Sequence, residues 1–144
     1  MTYVTEQGLA ERFGEVELVQ LTDRTNIPVS TIDDAVVGRA IDDASALADG
    51  YIGKAIALPL DVAPPALAKA VADIARYYLH GSSADKDSQV TRAYNEAVSF
   101  LRDVAKGVVQ LGDGITTPAP AGGGQVRASA PARVFTRDSL RHLG

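Results

Sequence analysis

His80 and His142 are the only two histidines in the chain, and it has no cysteine. That inventory excludes thiol nucleophiles, disulfide staples and cysteine-based zinc sites. Neither histidine has the i, i+4 partner of a metalloprotease helix, and no serine sits in a strand-turn-helix nucleophile elbow. His80 directly precedes Gly81 at the expected end of a helix, so its imidazole reads as a C-terminal cap favoured by the helix dipole. Asp42 and Asp43 offer paired carboxylates. Adjacent helical positions point about 100° apart, so the two do not converge on one ion and read as a solvated face. Gly122-Gly123-Gly124 lacks the Lys-Ser/Thr of a phosphate loop and reads as linker. Tyr77 and Tyr78 have the rings to stack bases, but they lie in an acidic body that repels phosphate; Tyr78 is expected in the core and Tyr77 partly exposed. The expectation is a protein that is no enzyme and carries no cofactor or metal.

Charge divides the chain instead. Residues 1–117 carry 10 Lys and Arg against 17 Asp and Glu, a net of −7, whereas residues 118–144 carry Arg127, Arg133, Arg137 and Arg141 against Asp138 alone, a net of +3. A split of this kind points to a tail that meets a partner. With 144 residues, 46% of them hydrophobic, the chain has one domain's worth of core. No stretch approaches the ~18 apolar residues that span a bilayer, so the reading is a chain made in a cytoplasm and without a membrane partner.

The periodicity predicts a mainly α fold. It is a small bundle of three main helices and two short ones, followed by an extended C-terminal arm able to form β-strands. A short helix runs to Phe13 with Thr5 as N-cap, Leu9, Ala10 and Phe13 on one face, and Gly14 at its stop. Val16, Leu18, Val19 and Leu21 form a second short run, assigned to helix because its neighbours are helical. Thr31, three residues before Asp34, resembles a capping box, and it opens a helix of about twenty residues with Ile32, Val36, Ala40, Ala44, Leu47 and Tyr51 as its stripe. Arg39 and Asp43 are spaced for a weak ion pair on its outer face. Pro64-Pro65 starts a helix with Leu67, Val71, Ile74 and Tyr78 buried and Gly81 at its end. Val90, Tyr94, Ala97, Leu101 and Val104 mark the last helix, capped by left-handed Gly107. Asp73 and Arg76, three apart, read as a pair that orients this fourth helix at a subunit interface.

Beyond Gly107 the period is lost, which divides the chain into a helical body, 1–107, and an arm, 108–144, with a Pro/Gly-rich linker. Val108-Val109-Gln110-Leu111 reads as a short strand, and Gln125 to Ala128 and Arg133 to Thr136 as edge strands that need a partner's sheet. Phe135 and Leu140 lie among arginines like anchors. The candidate docking residues are therefore Arg133, Val134, Phe135, Thr136 and Arg137, with Leu140 and Arg141.

In this order the elements resemble the Mu-like prophage head-tail adaptor family of tailed phages. The matches are Leu21-Thr22-Asp23-Arg24, Ile32-Asp33, Asp42-Asp43-Ala44-Ser45, Leu58-Pro59-Leu60 and Pro64-Pro65. They continue through Asp73-Ile74-Ala75-Arg76-Tyr77-Tyr78-Leu79, Phe100-Leu101 and Ala105-Lys106-Gly107 to the end, Val134 to Arg141. The chain departs from the pattern at Ile56, where an aromatic is expected. The resemblance implies a connector subunit assembled as a ring of twelve copies under the portal protein, at the head-tail junction of a virion put together in the host cytoplasm. Its partners would be the portal, neighbouring copies, and a stopper or tail-completion protein, with DNA passing through unbound. An acidic lining suits such a channel, because cationic walls would hold phosphate. The alternatives are a stopper or tail-completion protein of the same neck and, in another class, a small nucleic-acid-binding regulator using its basic tail.

Overall fold

Thr5 begins the first helix, its side-chain oxygen accepting the Gly8 N–H at 3.1 Å, and α1 spans Glu6–Phe13. The computed structural model describes residues 1–112. Gly14, at φ 92°, turns the chain directly into α2, Glu15–Thr22. That backbone conformation is left-handed and open to glycine at little cost. The three main helices are α3, Asp34–Ile52, α4, Pro65–His80, and α5, Gln89–Ala105, with a 3₁₀ turn at Gly81–Ser83 between the last two. No strand occurs among the described residues. The fold is the mainly helical one expected, with five α-helices among the described residues.

The core forms around α4. Pro65 occupies its first turn, where a missing N–H costs nothing, and Gly81 ends it at φ 51°. Leu67, Val71 and Ile74 are wholly buried, and Ala70, Ala72 and Ala75 are buried between them. Alanines around the helix let α3 and α5 approach from two sides, and these are the pairings with the most extensive packing. Against α4 and α3, α5 contributes Ala97, Leu101 and Val104. The α1–α2 pair rests on α3, with α2 also touching α4. Leu9 and Leu18 plug these contacts.

Three local readings are corrected. Asp33, not Thr31, caps α3, accepting the N–H groups of Ala35 at 3.0 Å and Val36 at 3.1 Å. The buried stripe of α3 is rotated by one residue: Val37, Ile41 and Ile52 are buried with Ala40, Ala44 and Ala48, while Ile32, Val36, Leu47 and Tyr51 lie half-buried at its edge. Contact with both α4 and α5 selects this face, which a single 3.6-residue pattern does not choose. On α2, Val16 is exposed. Arg39 and Asp43 form no ion pair among the described residues. Asp42 and Asp43 do face solvent, and Ile56, in place of the expected aromatic, is 6% exposed and part of the core.

The expected strand at Val108 to Leu111 does not form. Gly107 takes its left-handed turn at φ 74°, and the chain folds back so that Val109 and Leu111 pack against the core. The body's apolar contacts therefore run past Gly107. A chain ending at Gly112 should melt cooperatively, and one ending at Gly107 should lose about 1–3 kcal/mol through the missing Val109 and Leu111 contacts. Urea denaturation of the two truncated proteins measures the difference.

Candidate functional site

Arg76 and His80 are one turn apart on α4 and therefore share a face. That face meets α2 at Glu17. Arg76 donates through Nε to Glu17 Oε1 at 2.6 Å and through Nη2 to Oε2 at 2.9 Å, a two-point match between guanidinium and carboxylate. His80 Nε2 lies 3.2 Å from Glu17 Oε1. The Arg76 guanidinium also stacks over the Phe13 ring, with its central carbon 4.6 Å from the ring centroid, which ties in the end of α1. Burial of Glu17 opposes its ionisation, but the hydrogen bonds and charges of Arg76 and His80 prevail and hold its carboxyl below the ordinary range.

The expected Asp73–Arg76 pair is not formed. Asp73 accepts from Lys69 Nζ at 2.8 Å, one turn back on the same helix, and Arg76 turns to α2. Glu17 offers two oxygens in the plane of the guanidinium fork, which a neighbour on the same helix does not match. His80 likewise is no carbonyl cap. Its ring goes to Glu17, while Ser83 Oγ donates to the His80 carbonyl at 2.6 Å and the Gly81 N–H closes on Tyr77. Tyr77 stacks on Tyr94 at 4.2 Å between centroids, with Tyr78 tilted against both, so the three rings, each half-buried, join α4 to α5.

A second polar centre lies where α2 passes into α3. Thr22 is completely buried. Its hydroxyl donates to the Leu18 carbonyl at 2.8 Å and accepts the Asp33 N–H at 3.0 Å, linking the end of one helix to the cap of the next. Beside it, the Asp23 carboxylate accepts the backbone N–H groups of Thr25, Asn26, Ser30 and Thr31 at 2.9–3.1 Å, and the Asn26 side-chain amide at 2.9 Å. The Ser30 amide, the Asn26 side chain and the other amides hold this carboxyl far below the usual carboxylate range. The loop so fixed carries Arg24, Ile27 and Val29 into solvent. Sequence reading missed Glu17 and Asp23. The signal for Asp23 was present in Asp23-Arg24-Thr25-Asn26, a helix end followed by residues with local hydrogen-bonding side chains; Glu17 carried none, since its partner is 59 residues away.

No group of three metal-ligating side chains occurs among the described residues, and no helix there is long and apolar enough to cross a membrane. The docking residues expected in the arm, Arg133 to Arg137 with Leu140 and Arg141, lie outside the described residues.

The sequence profile of the family described as "Bacteriophage Mu, Gp36" matches residues 3–129. "Gene product J" of Escherichia phage Mu is 33% identical over 138 residues, 95% of this chain and 96% of that relative. "Mu-like prophage FluMu protein gp36" of Haemophilus influenzae is 32% identical over 110 residues, 76% and 75% of the two chains. The chain belongs to the bacteriophage Mu Gp36 family.

Arg76→Ala should destabilise the monomer by about 1.5–3 kcal/mol, the range for hydrogen bonds to charged groups. Arg76→Lys should recover only part, because an ammonium is a single point. An unchanged thermal midpoint in Arg76→Ala would refute this within-subunit role. Asp23 gives a pH signature. Its folded value lies below the ordinary 3.8, so its contribution to stability is complete above that value and declines as pH falls through the folded one. Asp23→Asn should therefore lower stability at neutral pH and flatten its decline between about pH 4 and pH 2, as read by denaturation at a series of pH values.

Proposed function

We propose that the protein is a phage morphogenesis protein, a head-tail adaptor that forms a ring beneath the portal, extends the DNA channel and seats the next neck protein. The observation that carries this reading is the nearly end-to-end relationship with a phage Mu gene product, 96% of whose length is covered. Three physical features support it. The body has its own core around α4, so it can serve as a preformed ring subunit. Residues 1–112 carry 10 basic against 16 acidic side chains, and a wall of that sign lets DNA slide where cations would hold it. The remaining segment has the opposite sign.

In this reading residues 113–144 carry the docking. They number 32, and fully extended they would reach at most ~110 Å. Affinity would come from Val134, Phe135 and Leu140 in apolar pockets, from strand addition by Arg133 to Thr136, and from Arg137 and Arg141 against acidic groups. A ring presents many copies at once, so linked weak contacts exceed single-site affinity by ~10² or more. Deleting residues 125–144 should give DNA-filled heads without tails in electron micrographs of lysates. Tailed, fully infectious particles from that deletion would overturn the docking role.

A further inference from the structure

We propose that the α2–α3 loop of one subunit plugs, through Ile27 and Arg24, into the groove between α4 and α5 of a second copy of this chain; the inference rests on the ring reading and supplies its subunit contact. Ile27 is 100% exposed, so its side chain packs against nothing among the described residues. Yet the loop that carries it is among the most firmly bonded non-helical segments of the body, with four backbone amides gathered on Asp23. A fixed loop with an apolar tip has already met the ordering cost that association otherwise imposes. Arg24, three residues before that tip, is exposed and forms no ion pair among the described residues.

A receptor of matching size and charge exists elsewhere on the body. Ala66, Ala70, Ala97 and Phe100 line a groove of about 220 Å³ between α4 and α5, below the ~300–1,000 Å³ of small-molecule sites and scaled to one or two aliphatic side chains. Its polar rim is Lys69, Asp73 and Glu96. Lys69 is taken by Asp73. That leaves Glu96, exposed and without an ion pair among the described residues, as the counterpart of Arg24. Plug and groove are different surfaces, so the contact is head-to-tail, the type that closes into a ring when its rotation permits. The interface role expected of Asp73 is thus placed at the groove rim, while Arg76 stays within the subunit.

The test uses the full chain, which has no native cysteine. Ile27→Cys protein mixed with Ala66→Cys protein under oxidation should give a disulfide-linked heterodimer, and mixed with Val62→Cys, at a residue 78% exposed but outside the groove, should not. In sedimentation velocity Ile27→Asp and Arg24→Glu should each weaken self-association on the order of 10- to 100-fold, with helical content and melting unchanged. The double variant Arg24→Glu, Glu96→Arg should restore it. Normal rings from Ile27→Asp would overturn this contact and leave the ring reading standing. A wild-type chain that stays monomeric at high concentration and with purified portal overturns both. Rings lost on deleting residues 113–144 but kept in Ile27→Asp would give the groove to that segment instead.

Discussion

Helix α4 is enclosed by α3 and α5 and touched by α2, and this enclosure governs the rest of the body. A charged side chain that such packing takes out of water must find a partner or bear the cost of lost hydration. Asp73, Arg76 and His80 each do. Lys69 reaches along the helix to Asp73, Arg76 crosses to Glu17 in a two-point contact with the Phe13 ring beneath it, and His80 joins the same carboxylate. The α1–α2 pair is thereby fastened to the three-helix bundle by charge as well as by Leu9 and Leu18. Because the alanines of α4 leave little volume between helices, these polar contacts sit at its margins and the centre stays apolar.

The junction between α2 and α3 meets the same demand with other means. Chain turning between two helices leaves backbone donors that no helix satisfies. Thr22 and Asp23 collect them, Thr22 by bridging Leu18 to Asp33 and Asp23 by gathering the amides from Thr25 to Thr31. The result is a rigid loop whose apolar residues face outward, an arrangement that a solvated connector would not require. In the adaptor reading, rigidity here and length in residues 113–144 are complementary: one surface preformed for a neighbour in the ring, the other long enough to reach the next component.

Helix existence and ends were legible in the sequence because they follow from local chemistry. Thr5, Gly14, Pro65, Gly81 and Gly107 act through their own backbone geometry and the few residues beside them, and each ends or begins an element where its type predicts. The tail's opposite charge and the kinship with Mu-like phage proteins were likewise written in residue order. Three features depended on what packs against what. The buried face of α3 is chosen by two partners, so its stripe is one residue away from the one that spacing suggests. Asp73 and Arg76 are neighbours in sequence but separate in bonding, because Glu17 has better geometry for a guanidinium than anything within reach on α4. Val109 and Leu111 alternate like a strand, yet with no sheet edge among the described residues they fold onto the core. Short-range forces determine where helices start and stop, and the sequence carries those in full; which face is buried and which charges meet depends on contacts across tens of residues, and only the assembled body decides them.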